Sequence, residues 1–258
     1  MTERAPGTGA ILAESAYRDI RRRHFEVAVL PWAATEAHNL HLPFGTDIVE
    51  TEAIAARSAA MAAGSGASVI VLPVIPFGVN TQQMDIPLTI NMNPSTQMAV
   101  LDDVAASIDA HGVRKLVVLN GHGGNDFRQM IRELQPRRRT FLCSVNWYRA
   151  VPREEFFRAP GDHADEMETS LMMHIAPGKV LPLTEAGPGS VKHHRIRAFR
   201  EGWAWAPRQW TKVSADTGAG DPRGATPEKG KAWFEAVTRA VAGFLVDLSA
   251  ADPDDMYA

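Results

Sequence analysis

The sequence predicts an α/β fold of three layers, α/β/α, around a mostly parallel central sheet. Three observations carry this expectation. Four short apolar runs, Glu26 to Ala34, Ser68 to Ile75, Lys115 to Leu119 and Thr140 to Asn146, are rich in Val, Ile and Leu and end in polar or Gly/Pro residues. Stretches of helical pattern separate them, so strand and helix alternate. The polar motifs follow strands, and right-handed crossovers collect such loops on one edge of a parallel sheet.

The near-continuous apolar character of the four runs suits strands covered on both faces. Asp47 to Ala63 is Ala-rich, with Ile48, Ala55 and Met61 available for a buried stripe. Ser95 to His111 opens on Pro94-Ser95 and stops at Gly112. Asn125 to Leu134 ends before Pro136, and Glu166 to Ile175 ends before Pro177-Gly178. The last helix starts near Thr226-Pro227-Glu228, with Thr226 as N-cap and Pro227 at the first helical position, and reaches about Ser249. Residues 1–10 and the acidic tail Asp252 to Ala258 are expected to fray. No Pro/Gly/Ser-rich linker, internal repeat or low-complexity segment interrupts the chain, so one domain over 1–258 is expected.

The chain has 258 residues, 45% hydrophobic and 22% charged, enough to bury a core without disulfides. A net charge of -3 and a pI near 6.3 argue against a nucleic-acid partner, which needs a concentrated basic face. The basic clusters Arg21 to Arg23 and Arg137 to Arg139 read as solvated helix ends or loops. Cys143 lies inside the apolar run Thr140 to Val145 and reads as a small core residue, not a nucleophile. Met1 to Ala10 lacks the apolar segment of a signal peptide, and no run is long enough to span a bilayer. A cytoplasmic protein without a membrane partner is expected.

The first motif runs from Trp32 through Thr35-Glu36-Ala37-His38-Asn39-Leu40-His41-Leu42-Pro43 to Asp47. Glu36 and His38, two apart at the end of a strand, point the same way in extended backbone. A carboxylate beside an imidazole suits Zn, Mn or Fe. Asp47 opens the next helix, either as its N-terminal cap or as a ligand whose two oxygens bridge two metals. His41 is expected to support a ligand or the fold.

The second motif, Asn120-Gly121-His122-Gly123-Gly124-Asn125, directly follows a strand. Its glycines permit positive φ and close backbone approach, and its N–H groups can donate to an anionic oxygen. A phosphate loop is the weaker reading, because the Lys-Ser/Thr of that pattern is missing. The third motif is Asp162-His163-Ala164-Asp165-Glu166-Met167-Glu168-Thr169-Ser170. Asp165 and Glu166 read as a charged helix start. Glu168 is a candidate ligand and His163 a candidate proton shuttle.

Together these motifs, in this order, resemble the creatininase family of amidohydrolases, whose patterns run Glu-x-His-Gly-x-His-Leu-Pro then Asp, Asn-Gly-His-Gly-Gly-Asn, and His-Ala-Gly followed by Glu-Thr-Ser. Gly220-Asp221-Pro222 and Ala225 to Gly230 resemble the family's closing segment, so the likeness covers roughly Val29 to Gly230. The resemblance implies a creatininase-like fold and two divalent metal ions, one held by Glu36, Asp47 and His122, the other by His38 and the bridging Asp47. Creatininase itself has a glutamate where this chain has Gly124, and Glu168 is the candidate to complete the set. His163 matches the family's proton-transfer histidine.

Other departures bear on substrate. Asn80 and Gln83 stand where the family commonly has serine and histidine, Asn39 and Asp165 where it has glycine. The metal site is expected to be kept and the pocket rewritten, with Asn80, Gln83, Gly123 and Asp162 as substrate-binding residues. The implied activity is hydrolysis of a C–N bond in a small cyclic amide or formamide by a metal-bridging hydroxide, in a homo-oligomer such as a hexamer. A mononuclear lactone or peptide hydrolase, and a non-catalytic metal- or ligand-binding member, are the alternatives. His193 and His194, beside Lys192 and Arg195, are expected on a surface loop, with an anionic substrate as the other reading. Trp203, Trp205 and Trp210 are expected to pack a satellite core, with a lid or subunit contact as the other reading. His24, His111 and His174 read as structural.

Overall fold

A computed structural model describes residues 10–257. The N-terminal stretch expected to fray lies, but for residue 10, outside the described residues, as does residue 258. The strands are β1 (Ala10–Ile11), β2 (Val27–Trp32), β3 (Val69–Val71), β4 (Lys115–Asn120), β5 (Phe141–Asn146), β6 (Gly161–His163) and β7 (Ala219–Gly220). The helices are α1 (Tyr17–Ile20), α2 (Thr46–Gly64), α3 (Pro94–Ala110), α4 (Arg128–Leu134), α5 (Glu166–Ile175), α6 (Arg197–Arg200), α7 (Trp210–Val213) and α8 (Pro227–Ala250).

The first five strands form one parallel sheet in the order β1-β3-β2-β4-β5. The chain winds outward from β2 to β3, then restarts on the other side of β2 with β4. That reversal leaves a crevice beyond the carboxyl ends of β2 and β4, where α/β sheets place their ligands. Register brings the two exits level: Trp32 pairs with Asn120, and Asn120 with Asn146. The first and second motifs therefore leave the sheet side by side.

Alternation along the strands feeds two cores. Val27, Val29, Val117 and Leu119 face α2, α5 and α8, against Ile54, Ala55, Leu171, Trp233 and Val237. Ala28, Leu30, Trp32, Leu116 and Val118 face α3 and α4, against Leu101, Ala105, Met130 and Leu134. Each fully buried leucine or valine contributes about 1.5–3 kcal/mol over its exposed state, which holds the sheet between two helical layers.

The observed elements depart from expectation in explicable ways. Strand β3 is shorter than the expected run Ser68 to Ile75, since Pro73 offers no N–H to a ladder. Helix α4 begins three residues after Asn125, whose side chain is used elsewhere: its Oδ1 accepts from Val79 N (3.0 Å) and Gln97 Nε2 (2.7 Å). The last helix starts as expected, with Thr226 Oγ1 accepting from Lys229 N (3.3 Å). The acidic tail expected to fray makes contacts, Asp252 and Asp254 with Arg114 (3.0 and 3.4 Å) and Met256 with the core. Arg137, Arg138 and Arg139 each pair with an acid, Glu133, Asp102 and Asp109. Cys143 packs against the core, where burial pushes its thiol up to about 12. Among the described residues no helix is long and apolar enough to cross a membrane.

Candidate metal centre

The first motif turns sharply after β2. Thr35 bridges Ile90, His38 bridges Leu42, and Asn39 takes φ 53° in the left-handed region. Asn tolerates that region because its short amide bonds locally. Here Asn39 Oδ1 accepts from Leu40 N (2.6 Å) and Gly187 N (2.8 Å). The turn delivers Glu36 and His38 inward, both almost fully buried. Asp47 enters from the first turn of α2, whose N-cap is Gly45. Its carboxylate is spent on histidines, not on the helix end: Oδ1 meets His38 Nε2 (2.9 Å) and Oδ2 lies 3.2 Å from His122 Nδ1. The capping reading of Asp47 therefore falls away.

The second motif supplies His122 from the end of β4. Its Nδ1 is 2.8 Å from Glu36 Oε1, and Nε2 donates to the Val79 carbonyl at 3.1 Å. Asn120 organises the turn, with Oδ1 accepting from His122 N (3.2 Å) and Asn125 Nδ2 (3.0 Å). No side chain fits at Gly124: a Cβ there would lie 2.4 Å from His122 Nε2 and 2.4 Å from the Val79 oxygen.

The third motif arrives on β6 and α5. Ala164, at φ 48°, turns the chain so that its N–H donates to the Glu168 carboxylate. Asp165 caps α5, accepting from Met167 N (2.9 Å) and Glu168 N (3.2 Å), and also pairs with Arg153 (2.6 Å). Glu166 accepts from Arg158 N (3.1 Å), Ala159 N (2.9 Å) and Lys229. Both are structural acids, as their place at a helix start implied. Glu168 instead reaches inward, 4.0 Å from His38 Nε2.

A common pattern orients the three central histidines. His38 Nδ1, His122 Nε2 and His163 Nε2 each donate to a backbone carbonyl, of Glu36 (3.0 Å), Val79 (3.1 Å) and Ala37 (2.8 Å). The other ring nitrogen of each then faces the carboxylates. Histidines that bind metals are fixed in this manner, one nitrogen tethered and the other's lone pair presented.

Charge accumulates accordingly. Burial alone would depress His38, but the carboxylates of Asp47, Glu168 and Glu36 lift it to about 10. His122 is likewise raised, Glu36 and Asp47 outweighing its burial. Burial opposes the ionised form of Glu36, yet His122, His163 and His38 hold its carboxyl well below the usual range. Burial pushes Glu168 up to about 8, Asp165 and Asp47 adding to the rise against His38. His163 is lowered by burial and by His38. His41, bonded to Thr169 Oγ1 at 2.9 Å, is depressed to about 4 by burial and His38, and stands apart as a structural residue.

Three sets of side chains present donor atoms within 4.8 Å of one another: Glu36, Asp47 and His122; His38, Asp47 and Glu168; Glu36, His38 and His163. Asp47 belongs to the first two, and its buried Oδ2 makes no hydrogen bond, approaching only His122 Nδ1 at 3.2 Å. Imidazole and carboxylate donors without thiolates suit a borderline or harder divalent ion. The residues fit such ions.

The expected substrate residues divide. Gln83 is buried and its amide nitrogen donates to Glu36, so it holds a candidate ligand. Asn80 is buried too, donating to Ile90 O at 3.1 Å. The carbonyl oxygens of both side chains remain unpartnered. Gly123 is exposed at the rim. Asp162 lies outside the buried centre and pairs with Arg208 at 3.0 Å. Trp210 packs a satellite cluster with Ala37, Ile86 and Ala219, as expected, whereas Trp203 and Trp205 are exposed.

Glu50 is a further acid that the sequence reading missed. It is fully buried one turn beyond Asp47, neither carboxyl oxygen has a hydrogen-bond partner, and burial with the charges of Glu168, Asp47 and Asp165 raises it well above the carboxylate range. The signal was present: Asp47, Glu50, Thr51 and Ile54 share one helix face, so Glu50 lies on the buried stripe.

Comparison with known proteins gives a consistent picture. The profile of the creatinine amidohydrolase (Creatininase) family matches residues 13–245. A provisionally named creatinine amidohydrolase from Bacteroides fragilis NCTC 9343 is 39% identical, with a TM-score of 0.91 over 97% of this chain and 99% of that one. A solved manganese form of creatininase superposes with a TM-score of 0.76 at 19% identity, over 94% of this chain and 100% of that one. The mycofactocin precursor peptide peptidase of Mycobacterium ulcerans is 28% identical over 214 residues, 80% of this chain and 79% of the peptidase.

Proposed function

The chain belongs to the creatininase family of amidohydrolases, and we propose that its buried centre holds two divalent ions, Zn, Mn or Fe, and hydrolyses the C–N bond of a small cyclic amide or formamide. The observation that carries this reading is the set of three buried histidines, each tethered through one nitrogen to a backbone carbonyl and turned by the other toward shared carboxylates.

In this reading Glu36, Asp47 and His122 hold one ion and His38, Asp47 and Glu168 the other, with Asp47 common to both. When bound, such ions polarise an amide carbonyl and acidify water toward neutrality. The chain's own residues do the rest. Gln83 fixes the Glu36 carboxylate, and Ala164 N–H fixes Glu168. His163, whose Nε2–H is committed to Ala37 O, keeps Nδ1 free 3.8 Å from Glu36 Oε1. Its depressed pKa leaves the ring neutral at neutral pH, able to take up a proton and pass it to the leaving nitrogen. Backbone N–H groups at Gly123 and Gly124 would donate to the developing oxyanion. The buried, unpartnered carbonyl oxygens of Asn80 and Gln83 are the acceptors assigned to the substrate's N–H in this reading.

The likeness to a peptide peptidase favours a second reading, cleavage of a peptide C–N bond. Metal content per chain, measured beside hydrolysis of cyclic amides, formamides and short peptides, tests both. Two metals in the parent, one in Glu168→Ala and neither metal nor turnover in Asp47→Ala are expected. Full activity and metal content in Asp47→Ala would overturn the assignment. Two bound metals without turnover of any amide or peptide would point to a non-catalytic member.

A further inference from the structure

The segment 191–213 folds back on itself beside the metal centre. Val191 bridges Ser214, and Lys192 N donates to Val213 O at 2.9 Å. The segment, which includes α6 and α7, lines a solvent-open pocket of about 450 Å³. Five cationic side chains line it: Lys192, Arg195, Arg200, Arg208 and Lys212. His193 and His194 join them, and no Asp or Glu lines the pocket.

That concentration is unusual in a chain of net charge -3. Nearby acids are occupied elsewhere, Glu201 with Arg197 (2.5 Å) and Asp85 with Thr211. Lys192, Arg195 and Lys212 make no ion pair among the described residues. Cations crowded on one concave surface repel each other, and a bound anion relieves that repulsion. Two of the five are instead built into the wall. Arg200 Nη1 donates to the carbonyls of His194 (2.9 Å) and Arg195 (2.7 Å), which fixes the loop. Arg208 pairs with both Asp162 oxygens (3.1 and 3.0 Å) and stacks 4.7 Å from the Trp210 ring centroid.

Position gives the pocket its meaning. The Trp210 ring centroid lies 4.9 Å from that of His163, so one aromatic ring separates Arg208 from the centre. We propose that the pocket binds a carboxylate or phosphate on the substrate, held by Lys192, Arg195 and Lys212 while the scissile bond reaches the metal centre. This rests on the amidohydrolase reading. A single concavity of this size suits a small anion, whereas a nucleic acid would need a basic stripe along the surface.

The test titrates metal-loaded protein with inorganic phosphate and with glutarate by calorimetry, for the parent and for Lys192→Gln/Arg195→Gln/Lys212→Gln. These side chains are exposed, so the triple variant should fold, and circular dichroism checks it. Binding should weaken with added salt and fall about ten-fold or more in the variant. Asp47→Ala should retain it, which separates the pocket from anions on the metals. A second arm compares N-acyl amino acids and N-acyl aminoalkyl phosphates with their neutral methyl esters. The triple variant should raise KM about ten-fold for the anionic member only, with kcat unchanged. Whether the carboxylate or the phosphate series shows this effect identifies the group. Equal anion binding in parent and triple variant overturns the proposal. Lost anion binding in a protein that turns over no amide keeps the anion site and overturns the amide reading alone.

Discussion

Gly124→Ala perturbs the centre through one methyl group, and its effect can be worked out beforehand. The added carbon would fall 2.4 Å from His122 Nε2 and 2.4 Å from the Val79 oxygen, two atoms that now share a 3.1 Å hydrogen bond. Ordinary contact requires about 3.5 Å, so one of them must retreat by about 1 Å. The peptide that carries the Val79 oxygen is anchored through the Asn80 N–H to Asn91 Oδ1 (2.8 Å), so the imidazole moves. Its tether is lost, and Nδ1 swings away from Glu36 and Asp47. Losing a hydrogen bond that orients a ligand lowers metal affinity about 10- to 100-fold, or about 1.4–2.8 kcal/mol. Competition with a chromogenic chelator should show one binding step weakened by that factor and the step involving His38 spared. Parent-like affinity at both steps would refute the claim that the Val79 contact aims His122. It would also refute the steric account of the glycine.

Three further outcomes are expected. With its proton held up to a pKa of about 10, His38 must release it when a metal binds. Zinc titrations at pH 7 in buffers of different ionisation enthalpy should reveal proton release, and apparent affinity should rise roughly ten-fold per pH unit for each proton displaced; buffer-independent heats would contradict this. The Cys143 thiol, raised to about 12, should react with iodoacetamide at pH 8 about a thousand-fold more slowly than a free cysteine until the protein unfolds; rapid labelling of folded protein would count against its burial. Thr226→Ala removes the side-chain cap of α8 and should lower the urea-derived stability by about 1 kcal/mol, and an unchanged midpoint would show that packing alone holds that helix end.

What the sequence made legible follows from the length of each signal. Strands β2, β4 and β5 were readable because six successive residues carry the pattern in each. Strands β1, β6 and β7 span two or three residues, too few to show any period. In the centre, Glu36, His38, Asp47, His122, His163 and Glu168 stood out because each lies in a polar motif beside a strand end or helix start, and the structure brings them together. The duties of Gln83 and Asp162 were hidden, since they depend on partners 47 and 46 positions away, Glu36 and Arg208. Glu50 was masked by its setting in an Ala-rich helix, where a glutamate ordinarily reads as solvent-facing.

The two cores flanking the sheet differ in what they carry. Asp47 and Glu168 ride on α2 and α5, both packed in the core shared with α8, while α3 and α4 in the opposite core contribute no member of the carboxylate–imidazole cluster. Tolerance to change should be lopsided. Apart from Gln97, whose amide donates to the Asn125 side chain of the His122 turn, the α3/α4 layer can drift, or be rebuilt for heat resistance, at the expense of folding free energy alone. In the other layer a repacked side chain shifts a carboxylate as well, so selection there acts on stability and chemistry at once. An engineer seeking a hardier catalyst has one half of the molecule to work with.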